Sequence, residues 1–185
     1  MRPTNDTDVE QHEPRHDELR YASGYPNIED ITRRLRFDAG SGSVWLHDRR
    51  VVIFHADIYS EFRASLIEAS GVEGARKLIT TLGYKTGVAD AQLAKKLRSS
   101  IDLQSVIAAG PQLAGLMGLC LVDPLSLTVD IDEGRIIVEA MLVNDLEADF
   151  HIKHFGIGST PACWFSAGHA SGFFSWCLGK PVLFR

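Results

Sequence analysis

Residues 160–180 read TPACWFSAGHASGFFSWCLGK, a helix-length run bare of formal charge until Lys180. Thr160 suits an N-cap and Pro161 the first helical position, so the spacing predicts a helix opening there. Such a run can line a core, a membrane or a greasy ligand chamber. The apolar character breaks at His169 and is punctuated by glycine and serine, which excludes a membrane span. Phe173, Phe174 and Trp176 crowd one end, while Ala167, Gly168, Ala170 and Gly172 leave space. That mixture fits close helix packing, or a cavity walled by aromatics that binds small apolar molecules.

The rest of the chain narrows the setting. Its 185 residues suffice for one domain or two small lobes, and 45% hydrophobic with 23% charged residues is a globular composition. A net charge of -5 argues against general affinity for nucleic acid, which needs clustered positive charge. The polar N-terminus has no apolar centre and does not read as a signal peptide. Cys120, Cys163 and Cys177 form no disulfide framework, so reduced thiols and a cytoplasmic location are expected, with no membrane partner.

Residues 1–25 are charged, poor in apolar side chains and expected to be a flexible leader. Ile28, Ile31 and Leu35 then fall on one helical stripe, and SVWL and RVVIFH flank a polar HDRR as in a β-hairpin. Tyr59 to Ser70 reads as a helix with Phe62, Leu66 and Ile67 inward, closed by Gly71. Further helical segments are expected to be interrupted at Gly83 and Gly87. Residues 103–120 look helical on both sides of a Gly110-Pro111 break, with Leu113, Leu116 and Met117 sharing a face. The clearest local signal is LSLTVDIDEGRIIVEAMLVN, two alternating runs around Asp132-Glu133-Gly134, a hairpin. A short helix over 145–158 and a final strand, PVLFR, complete an α+β layout: an N-terminal helix-hairpin lobe, 26–100, and a helix/β-hairpin lobe, 101–185.

Candidate chemistry is thin. His151 and His154 share a helix face but lack a third ligand at a telling spacing. Cys163 in the first turn of its helix would have its thiol pKa lowered by the dipole, yet no partnered base accompanies it. Phosphate-binding loops, a basic helix-turn-helix and paired carboxylates are absent from the pattern. The residues favour a binding module over an enzyme.

Four blocks carry a resemblance. GVEGARKLITTLGYKTGVADAQLAKKLR, AAGPQLAGLMG, DIDEGRIIVEAML and TPACWFSAGHASGF resemble, in order and spacing, the sensory domain of XylR/DmpR-type activators of aromatic catabolism, including most of its 4-vinyl-reductase-type part. The resemblance implies a domain that binds an aromatic effector, forms a homodimer and represses a following AAA+ ATPase in a sigma-54-dependent regulator, with DNA bound by a separate domain. Effector binding would act by population shift.

The family's two hydroxyl-binding positions correspond here to Ala114 and Leu142, both apolar. A phenol hydroxyl left unpaired there would lose on the order of 1–3 kcal/mol, about ten- to a hundredfold in affinity. The expected effector is therefore benzene, toluene or xylene rather than phenol. Ile107, Ala140, Phe173 and Phe184 resemble the walls of the family pocket, and Met117 and Trp164 are taken as further lining. Cys163 resembles one ligand of a structural zinc whose other ligands follow the strand matching PVLFR; one ligand alone completes no site, so no cofactor is expected in this chain. A stand-alone ligand- or partner-binding module of the same superfamily is the alternative.

Overall fold

The computed structural model describes residues 28–99, 102–130, 133 and 135–185; the expected leader and most of the Asp132-Glu133-Gly134 turn lie outside them. Helices α1 (Glu29–Thr32), α2 (Asp57–Leu97), α3 (Leu103–Leu116), α4 (Leu146–Phe155) and α5 (Trp164–Leu178) combine with two antiparallel sheets. Strands β1 (Leu35–Asp38), β2 (Ser43–Leu46) and β3 (Arg49–Val51) form the first; β4 (Leu121–Asp130) and β5 (Arg135–Val143) form the second. The fold is α+β.

Local chemistry sets several boundaries. Asp102 caps α3 by accepting from the Ser105 amide at 2.7 Å, and Asp145 caps α4 by accepting from the Ala148 amide at 2.8 Å. The long hairpin runs in register from Leu121 opposite Val143 to Asp130 opposite Arg135, with a shift between Pro124 and Ser126. Proline has no N–H for the ladder, which suits it to such an irregularity.

Elsewhere long-range contacts override local pattern. The expected stripe of Ile28, Ile31 and Leu35 is cut short: α1 covers four residues, Ile31 is buried, and Leu35 opens a strand by pairing with Leu46. RVVIFH does not stay in the sheet, which ends at Val51 and leaves Val52, Ile53 and Phe54 exposed. Phe62 is also exposed, whereas Leu66 and Ile67 pack inward. Helix α2 kinks at Gly71 (φ 70°, ψ 170°) and then runs unbroken through Gly83 and Gly87. Pro111 lies inside a continuous α3 rather than breaking it.

The reason for Gly83 and Gly87 is close approach, not termination. A methyl group on either would overlap the backbone of α5 at Phe165 and His169, and Gly168 and Gly172 meet α2 the same way at Thr80 and Tyr84. The two helices thus interlock backbone to backbone. Helix α5 begins at Trp164 with Cys163 at the N-cap, later than the expected Thr160-Pro161 start. PVLFR forms no strand. It lies extended along α5, where the Ser175 hydroxyl accepts from the Val182 amide and the Ser171 hydroxyl from the Phe184 amide, both at 2.8 Å.

One hydrophobic core gathers Ile31, Leu46 and Leu93 with Val106, Leu113 and Phe173, so residues on both sides of position 100 share it. A smaller cluster joins Ala75, Ile79 and Trp164.

Candidate functional site: an aromatic-walled cavity

A cavity of about 2090 Å³ opens between α2, α3, α5 and the β4–β5 hairpin. Ile107, Ala114, Ala140, Leu142, Trp164, Phe173 and Phe184 all line it. Met117 does not: it follows the last turn of α3 and is 40% exposed, so its assignment to the wall is corrected. Its expected face-mates differ too, Leu113 being fully buried and Leu116 packed against the core.

The walls are unequal. Ile107, Ala114, Trp164 and Phe173 are buried, and the Phe173 ring rests on Gly110 of α3. Phe174 packs edge-on to Phe173 at 5.9 Å and at a tilt to Phe184 at 5.4 Å. Leu142 lies at the mouth, 37% exposed. Lys77, Thr81 and Lys85, spaced at helical turns on α2, form an exposed polar rim. Glu73, Arg76, Gln104 and Glu139 also line the cavity but are exposed, so the buried part of the wall is apolar apart from His169 and Cys120, as small-molecule sites usually are. The volume exceeds what one aromatic ring fills, so such a ring would occupy part of it.

Two features of the wall escaped the sequence. Phe165 and His169 line the cavity with Phe173, one turn apart on α5, their rings stacked in succession. The available signal was one polar ring, His169, set four residues from an aromatic on either side, Phe165 and Phe173. His169 Nε2 lies 2.9 Å from Oδ2 of buried Asp90, whose Oδ1 accepts from Arg49 Nη1 at 2.8 Å.

A second buried network supports the wall from behind. The Arg63 guanidinium donates to Glu147 Oε1 at 3.2 Å and to the Ala162 carbonyl at 2.8 Å, and covers the Trp164 ring at 3.9 Å. Glu147 also accepts from the Tyr59 hydroxyl at 2.6 Å and the Ser166 amide at 2.9 Å. Burial nevertheless dominates and lifts the Glu147 carboxyl above its ordinary range.

Cys163 departs from expectation. Its Sγ donates to Asp145 Oδ1 at 3.4 Å, and burial, followed by the Asp145 charge, pushes the thiol up to about 12. The helix dipole does not win, and the thiol is placed as a donor rather than a nucleophile. His151 lies 3.3 Å from Arg63, a neighbour unsuited to a metal ligand. Among the described residues no three metal-ligating side chains converge.

A family profile described as "Activator of aromatic catabolism" matches residues 30–130. The chain belongs to that family. The Transcriptional regulatory protein XylR of Pseudomonas putida is 34% identical over 161 residues, and the Phenol regulator MopR of Acinetobacter guillouiae 29% identical over 159. These alignments cover 87% and 86% of this chain and 28% of each relative. The chain therefore spans a little over a quarter of the curated relatives it matches. The crystal structure of the phenol-responsive sensory domain of the transcription activator PoxR with phenol is similar at 34% identity and a TM-score of 0.80, covering 85% of this chain and 79% of that one. This member of the activator family thus carries the fold of a sensory domain. Among its described residues no helix is long and apolar enough to cross a membrane.

Proposed function

We propose that the chain is the effector-sensing part of a transcription activator of aromatic catabolism, binding a small aromatic in the cavity walled by Phe173, Phe174 and Phe184. The observation that carries this reading is the buried aromatic wall, set in a fold shared with a phenol-responsive sensory domain. Residues 101–185 act as the effector-binding lobe, with α2 of the N-terminal lobe closing one side of the cavity, and residues 26–100 act as the dimerisation lobe. Exposed Phe37, Val52, Ile53, Phe54 and Ile58 support homodimer formation through the N-terminal part. The output follows the family: a sigma-54-dependent AAA+ ATPase and a DNA-binding domain, both in sequence outside this chain, with the protein in the cytoplasm. A structural zinc would need ligands from outside the described residues.

Selectivity at the α3 and β5 walls favours benzene, toluene or xylene over phenol, because Ala114 and Leu142 offer a hydroxyl no partner. Catalysis has no support from Cys163, whose thiol is held protonated. A second reading, a module for a larger apolar ligand, draws on the cavity volume of about 2090 Å³.

A thermal melt with and without toluene tests the proposal. Toluene at a hundred times its dissociation constant should stabilise the chain by about 2.7 kcal/mol. An unchanged melting temperature with toluene, xylene and phenol alike would reject it.

A further inference from the structure

Polar groups in an apolar chamber select ligands more sharply than its walls do. His169 is such a group, and its surroundings fix what it offers. It is 8% exposed, and its ring stacks between those of Phe165 (6.1 Å, 24°) and Phe173 (6.3 Å, 26°), all three on the cavity wall. Gly87 packs against its backbone carbonyl and so fixes its place on α5.

One edge of the ring is committed. Nε2 meets Asp90 Oδ2 at 2.9 Å, and an ionised carboxylate only accepts hydrogen bonds. Arg49 supplies the counter-charge to Asp90 and is itself anchored on the Ala89 carbonyl at 2.7 Å. In the neutral ring the proton therefore sits on Nε2, which leaves the Nδ1 lone pair as an acceptor. Nδ1 has no hydrogen-bond partner among the described residues.

We infer that His169 is a specificity-determining residue whose Nδ1 accepts a hydrogen bond from a hydroxyl on the bound aromatic. This deepens the proposed function and rests on it. The selectivity against hydroxyl groups belongs to the α3 and β5 walls, where Ala114 and Leu142 lie; His169 sits on α5. The preferred ligand then has two unlike ends, an apolar substituent toward Ala114 and Leu142 and one hydroxyl toward His169. An alkyl-substituted phenol meets both conditions. Toluene satisfies only the apolar end, and phenol leaves that end unfilled.

Toluene and 4-methylphenol differ by one hydroxyl, so their affinity ratio isolates the contact. Calorimetric titration of the chain should give 4-methylphenol the tighter binding by between about two- and tenfold. His169→Phe should remove that ratio while toluene still binds. Asp90→Asn, whose amide can donate as well as accept, should release the tautomer and lower the ratio without abolishing toluene binding. Nitrogen NMR of ring-labelled histidine gives a readout that needs no variant. The Nδ1 resonance should move on adding 4-methylphenol and stay nearly fixed on adding toluene.

Equal affinities in the unaltered chain, an unchanged ratio in His169→Phe, or an Nδ1 resonance indifferent to 4-methylphenol would each overturn the assignment. Loss of binding by both ligands in the unaltered chain would overturn the sensing function itself, and the role of His169 with it.

Discussion

The backbone of Gly87 rests against the carbonyl oxygen of His169, so closely that a methyl group at position 87 would overlap it. One contact thus sets the spacing of α2 and α5 and places the wall that His169 shares with Phe165 and Phe173. Gly87→Ala should destabilise the chain by about 1–3 kcal/mol or more, since neither backbone can yield without repacking the core. Gly158→Ala, at an exposed position where an added methyl would meet only the Thr160 nitrogen at 4.0 Å, should cost little. Urea denaturation of the two variants checks the difference.

Arg63 is buried with Glu147 behind the Trp164 ring, so its removal strands a carboxylate. Arg63→Met should cost about 3–5 kcal/mol, whereas Arg76→Ala, which breaks an exposed pair with Glu73, should stay within about 0.5 kcal/mol. The loss in Arg63→Met should deepen as pH rises above the ordinary glutamate value of 4.5. The folded chain, its Glu147 raised by burial, then holds the proton longer than the unfolded chain does. Equal effects of the two arginine substitutions would contradict the buried network.

Asp30 behaves in the opposite sense. Hydrogen bonds from the buried Arg98 guanidinium hold its carboxyl below the ordinary 3.8, against a smaller opposing effect of burial. An aspartate lowered in the folded state lends stability above its unfolded value, and that stability drains as pH falls through the folded one. Asp30→Asn should therefore weaken the fold at neutral pH and flatten the acid side of its stability curve below 3.8. Denaturant titrations at a series of pH values decide it. A variant with the acid slope of the unaltered chain would remove Asp30 from the account.

The pair Ala114→His and Leu142→Trp should raise phenol affinity by about ten- to a hundredfold by returning partners to a hydroxyl on those walls. Position 114 should contribute more, being buried where Leu142 stands at the mouth. Isothermal titration of the single and double variants with phenol measures both shares.

Much of this architecture was readable from residues, in proportion to how local its causes are. The β4–β5 hairpin follows from alternation around a turn, and α4 falls within the short helix expected over 145–158, where the structure adds an Asp145 cap. Position-by-position resemblance placed Ile107, Ala114 and Phe173 on one wall, because spacing along α3 and α5 fixes which side chains share a face. Failures came where distant chain decides. Gly83 and Gly87 read as breakers because the helix that fills their empty side lies some eighty residues away in sequence, at Phe165 and His169. Leu35 left its helical stripe for a strand partner, Leu46. Met117 shares a periodic face with Leu113, yet the end of α3 turns it to solvent. Helix position alone does not fix the thiol of Cys163, since burial, and then the carboxylate of Asp145 from another element, raise it. His169 was visible only as an interruption; its meaning depends on Asp90, which no local pattern connects to it.

The central claim is that this cavity binds a small aromatic ring, and parallel calorimetric titration of the chain with toluene and phenol tests it most directly. Saturable binding of toluene, tighter than that of phenol, is the predicted result. Binding of neither would contradict the claim.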